Sequence, residues 1–102
     1  MDTALQVTFR GLPPSPALDR RIRDKAARLQ ALSGRITRFR ITVERRHRHQ
    51  RQGREYGVRV ELHVPERDIV VTHEEDEDVY VALRDAFEAA ERQLKRSARA
   101  PV

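Results

Sequence analysis

Leu5, Val7 and Phe9 alternate with Gln6, Thr8 and Arg10, the two-residue period of a strand with one face buried. Gly11-Leu12-Pro13-Pro14 ends that run. Ser15 stands where a helix N-cap belongs, and Pro16 occupies the first helical position, where its fixed φ suits the turn. Leu18, Ile22, Ala26, Leu29 and then Leu32 or Ser33 recur at helical spacing, and Gly34 is expected to close the helix in a left-handed conformation. Two more alternating runs follow: Phe39, Ile41 and Val43, then Tyr56, Val58, Val60, Leu62 and Val64. Between them Arg45–Arg54 reads as the polar tip of a long hairpin. Pro65–Asp68 is a tight turn into a short fourth strand around Ile69–Thr72. The acids Glu74–Asp78 lead into a last helix whose apolar stripe is Val79 or Tyr80, Leu83, Phe87, Ala90 and Leu94. The predicted order is β-α-β-β-β-α. It implies a two-layer α+β sandwich: a four-stranded mixed sheet with both helices packed on one face, similar in layout to double-stranded-RNA-binding domains. Residues 1–102 are expected to form one domain, with 97–102 a frayed tail.

Composition narrows what such a domain can do. Only 5% of the 102 residues are aromatic and 38% are hydrophobic, so the core is small and aliphatic. Charged residues make up 36%, the net charge is +5 and the isoelectric point is near 10.6, a balance that favours a polyanionic partner. The charge is uneven: residues 1–54 carry 14 Lys/Arg against 4 Asp/Glu, and residues 55–102 carry 7 against 12. There is no cysteine, which excludes disulfides, thiol catalysis and thiolate metal sites. Neither a signal-peptide core nor the ~18–20 apolar residues of a membrane span occurs, so a soluble, cytoplasmic protein without membrane association is expected.

The candidate binding residues lie on the helices. Arg21, Lys25 and Arg28 share one face of the first helix at i, i+4 and i+7, and Arg20 and Arg23 broaden it. A basic helix face is by itself often only a solvated surface. A second cluster at the end of the last helix, Arg92, Lys95, Arg96 and Arg99, changes that reading: two helices on one side of a sheet can merge their cations into one track for phosphates. Arg46, Arg48 and Arg51 in the hairpin tip, together with Arg84, are further candidates. Arg38 and Arg40 extend the field on the second strand, with Arg59 and Glu61 expected to pair across strands and neutralise part of it. Phe9, Phe39, Phe87 and Tyr56 are expected inward, leaving Tyr80 as the unassigned aromatic. Recognition of backbone and shape, more than of base identity, follows.

Signs of catalysis are sparse. Glu74, Glu75 and Asp78 could be read as a magnesium site of a nuclease, but consecutive acids converge poorly on one ion and serve better as N-cap and first-turn acids. His47 and His49 sit in the tip, away from His63 and His73, without zinc spacing. Ser15, Ser33 and Ser97 lie in no nucleophile motif, and the four glycines form no phosphate loop. The expectation is a protein that is not an enzyme, with no cofactor, no metal and no small-molecule substrate.

Asp78-Val79-Tyr80-Val81-Ala82-Leu83 and Glu91-Arg92-Gln93-Leu94-Lys95 resemble the "D-x-Y-x-A-[IL]" start and "RQL" basic end of the last helix in the ribosome hibernation-promoting factor and ribosome-associated inhibitor family. Ala17-Leu18, Lys25, Arg28-Leu29 and Arg35-Ile36 match the same family's first helix. The resemblance implies a translation inhibitor that occupies the messenger and A- and P-site transfer-RNA channel of the small ribosomal subunit. It would preserve idle ribosomes under stress, with Lys25, Arg28, Arg92 and Lys95 toward 16S-type rRNA and the free protein monomeric. Arg84 departs from the family, which often has an acid there. The chain's end soon after the last helix points to the short form. Competing readings are a generic structured-RNA-binding or ribosome-assembly module and, remotely, the magnesium-dependent nuclease.

Overall fold

A computed structural model describes residues 4–45 and 55–99. Its elements are β1 (Ala4–Arg10), α1 (Pro16–Leu32), β2 (Arg38–Arg45), β3 (Tyr56–Val64), β4 (Arg67–Asp76) and α2 (Val79–Arg99), in the expected β-α-β-β-β-α order. The sheet order is β1-β2-β3-β4. β1 runs parallel to β2, with Val7 opposite Ile41, while β2–β3 and β3–β4 are antiparallel. A parallel pair needs a crossover between its strands, and α1 is that crossover.

The alternation of the strands sorts their side chains. Phe39, Ile41 and Val43 of β2, Val58, Val60, Leu62 and Val64 of β3, and Ile69 and Val71 of β4 are buried on one face. Against them lie Leu18, Ile22, Ala26 and Leu29 of α1, and Ala82, Leu83, Ala86, Phe87, Ala90 and Leu94 of α2. α2 packs over β3 and β4 and also touches α1. Both helices therefore cover the same face of the mixed sheet, and the opposite face stays open. No polar or charged residue is buried among the described residues.

Local chemistry sets the helix boundaries. Ser15 has extended backbone (φ −118°, ψ 112°), and its hydroxyl accepts from the Leu18 N–H at 3.2 Å, satisfying one of the otherwise unpaired first-turn donors. At the other end Ser33, not Gly34, caps α1. Ser33 is extended (φ −149°), its N–H donates to Leu29 at 3.0 Å, and its hydroxyl accepts from Arg35 N–H. The Ser33 backbone N–H thus meets a last-turn carbonyl without a left-handed glycine. Among the described residues the positive-φ glycine is Gly11 (φ 76°), where the chain leaves β1. Leu32, a candidate for the buried stripe, is 50% exposed.

β4 is ten residues long, well beyond the short strand read around Ile69–Thr72. β3 offers partners as far as Tyr56, and pairing with it outweighs the low strand preference of acidic residues. The strand therefore takes up Glu74–Asp76, with a register shift where Tyr56 pairs with Asp76 and Gly57 with Glu74. The expected first-turn acids are thus absent from α2. Asp78 acts at that terminus, accepting from Tyr80 N–H at 2.9 Å through its side chain and from Ala82 N–H through its carbonyl.

Candidate nucleic-acid interface

The two helices run side by side in the same direction. Near their starts the Arg21 guanidinium lies 5.2 Å from the centre of the Tyr80 ring, and further along Arg28 Nε stands 3.8 Å from Glu91 Oε1. Helical spacing explains the match. With roughly 3.6 residues per turn, Arg21, Lys25 and Arg28 flank the buried stripe of α1 on the side that meets α2. Tyr80, Arg84, Glu91 and Lys95 flank the stripe of α2 on the side that meets α1. Between the helices lies a groove floored by Leu29 and Phe87 and lined by Lys25, Arg28, Arg84, Glu88 and Glu91.

Lys25, Arg28 and Arg84 therefore come together from two helices, and Lys95 joins them through Glu91. The groove is not purely basic, however. Glu91, its side chain 20% exposed, also receives Lys95 Nζ at 3.1 Å, so one carboxylate stands between cations of both helices. Arg84 is paired with Asp85 at 3.0 Å. Arg92 and Arg96 are exposed, and their spacing puts them on the side of α2 turned away from the sheet. Arg20 lies likewise on the outer side of α1. Arg23 turns to the flank away from α2 and pairs with Asp19 at 2.8 Å. Arg99 ends α2, but its side chain lies outside the described residues, as do Arg46, Arg48 and Arg51.

The open face of the sheet carries its own charges in register. Arg40 sits opposite Glu61 and reaches it at 3.7 Å, while Arg59 Nε meets the other carboxylate oxygen at 2.8 Å. Glu61 thus pairs across strands with Arg40 and within β3 with Arg59, and its single charge offsets part of theirs. His63 pairs with Asp68 across the β3–β4 hairpin, so its nearest partner is a carboxylate. Among the described residues no three acidic or histidine side chains gather as a metal site would require. Nor is any helix there long and apolar enough to cross a membrane.

Two features of the groove were not singled out from sequence. Glu91-x-x-x-Lys95 has the spacing of a helical ion pair, which sequence does carry. Tyr80 has its partner Arg21 59 positions earlier in the chain, beyond the reach of local pattern. Of the two alternatives for the stripe, Val79 packs on the core and Tyr80 is 38% exposed.

Comparison with known proteins gives the geometry a context. No curated protein sequence matches the chain. Among solved structures, a ribosomal subunit interface protein from Coxiella burnetii superposes with a TM-score of 0.81 at 21% identity, covering 96% of this chain and 100% of that one. The N-terminal domain of Protein Y from Thermus thermophilus superposes with a TM-score of 0.73 at 22% identity, covering 94% and 98%. These likenesses establish a shared fold. The model of the family described as Sigma 54 modulation protein / S30EA ribosomal protein matches residues 5–100. The chain belongs to that family of ribosome-associated hibernation and interface factors, the one its two helices resemble.

Proposed function

We propose that this protein binds the small ribosomal subunit in the cytoplasm, entering the messenger and A- and P-site transfer-RNA channel and contacting rRNA phosphates with the paired helices. It acts sterically, without chemistry of its own, and holds idle ribosomes intact under stress as a monomer delivered from solution. The observation that carries the reading is the parallel placement of α1 and α2, which brings Lys25 and Arg28 alongside Arg84 in one groove, with Lys95 paired to Glu91 at its edge. Guanidinium and ammonium groups at such spacing match the phosphates of a backbone better than any compact substrate. Family membership and the names of the structural neighbours supply the ribosome as the source of that backbone.

Arg92, Lys95 and Arg96, with Arg21, Lys25, Arg28 and Arg99, are the proposed rRNA contacts; Arg20, Arg23, Arg46, Arg48, Arg51 and Arg84 are secondary ones. The test is co-sedimentation with purified small subunits over a range of salt. Each lost phosphate contact should lower the log–log salt slope by roughly 0.7–0.9. Arg92→Glu combined with Lys95→Glu should weaken binding and flatten the slope. Unchanged binding would mean that another surface meets the ribosome, and equal affinity for naked duplex RNA would favour a generic RNA-binding module.

A further inference from the structure

Tyr80 is an unusual tyrosine for this chain. It is 38% exposed, one of three large hydrophobic residues left so open among the described residues. It stands at the head of the interhelical groove, in the first turn of α2, where Asp78 fixes its backbone. Arg21 reaches over its ring from α1. An aromatic ring and a neighbouring guanidinium each offer a flat face on which an unpaired nucleobase can settle. The phosphates following that base would then run toward Lys25, Arg28 and Arg84 along the groove. A second cation–ring pair, Arg45 over Tyr56 at 5.8 Å, lies at the end of the β2–β3 ladder; its ring is half-buried and does not border the groove lined by Lys25, Arg28 and Arg84.

We infer that the Arg21–Tyr80 stack is a nucleobase subsite: an unstacked RNA base docks on it while the groove cations hold the adjoining phosphates. This rests on the helix groove being the RNA-binding surface, and it adds base contact to an interface otherwise reading backbone alone. The hydroxyl is not required; the ring is.

The chain has two tyrosines and no tryptophan, so Tyr56→Phe leaves Tyr80 as the sole intrinsic fluorophore of that class. Two probes separate base stacking from charge: a single-stranded oligoadenylate of about twelve nucleotides, and an abasic ribose-phosphate strand of the same length. Adding the oligoadenylate should quench Tyr80 emission, and the abasic strand should leave it largely unchanged. Tyr80→Phe should retain oligoadenylate affinity. Tyr80→Leu should lose about fivefold or more, the lower end of what one stacked base contributes, while its affinity for the abasic strand stays put. Equal quenching by both strands would overturn the inference, and so would unchanged oligoadenylate binding by Tyr80→Leu. Quenching without co-sedimentation on small subunits would sink the ribosomal reading alone. Co-sedimentation without quenching would sink only the subsite.

Discussion

Arg28 of α1 and Glu91 of α2 face each other across the interhelical groove at 3.8 Å, and Glu91 simultaneously holds Lys95 at 3.1 Å. One carboxylate thus sits where a phosphate oxygen would gain most. It keeps two long cationic side chains extended over the groove, and it offsets part of their field when no RNA is bound.

Glu91→Gln is therefore expected to tighten RNA binding. Removing one charge a few ångströms from the phosphates should raise affinity roughly three- to tenfold at low salt, about 0.7–1.4 kcal/mol at an effective dielectric intermediate between water and protein. The gain should fade toward ~1 M salt, where the screening length drops to about 3 Å. Stability should change by less than about 1 kcal/mol, as for other solvent-accessible pairs. Equilibrium titration of oligoribonucleotide at several salt concentrations measures this. A fall in affinity would show that Glu91 chiefly positions Arg28 and Lys95.

Ser15→Ala removes the hydroxyl that accepts from Leu18 N–H at 3.2 Å. The expected cost is about 1 kcal/mol of stability, within the range measured for N-cap losses, or roughly 4–8 °C in Tm for a domain of this size. Thermal unfolding followed by circular dichroism reads the shift. RNA affinity at a temperature where both proteins are folded should be unchanged, because the cap lies outside the groove.

Leu83 is fully buried and Leu32 is half exposed, so the same truncation should have unequal effects. Leu83→Ala should destabilise by about 2–5 kcal/mol through lost burial and an unfilled cavity, whereas Leu32→Ala should stay within roughly 0.5 kcal/mol. Urea titration of both variants distinguishes them; a large effect at Leu32 would mean that its side chain is covered in solution.

The alternations through β2 and β3 and the helical stripes of α1 and α2 made the fold legible in sequence, because burying one face is what imposes those periods. The Ser15 cap was legible for the same local reason. The length of β4 was not: Glu74–Asp76 carry no strand signal of their own and are drawn in by pairing with Tyr56–Gly57. The closure of α1 was misassigned because Ser33 and Gly34 are adjacent and either can end a helix. For the groove, sequence supplied Lys25, Arg28 and Lys95 but not their neighbours. Which residue of one helix meets which of the other depends on how the two stripes settle on the sheet, so the Glu91 bridge and the Arg21–Tyr80 stack emerge only once the layers are assembled.

The parallel pairing of β1 with β2 also bears on the order of assembly. β2, β3 and β4 are consecutive antiparallel neighbours. β1 instead reaches its partner only after the chain has passed through all of α1, so its ladder closes a longer loop for the same hydrogen bonds. It has a single neighbour, and none of its side chains is fully buried. β1 is thus expected to dock last and to open first, with its amides exchanging with solvent well before those of β3. Hydrogen exchange resolved by residue checks this, and equal protection of the two strands would contradict it. The N-terminal strand then acts as the loosely latched edge of an otherwise cooperative sheet.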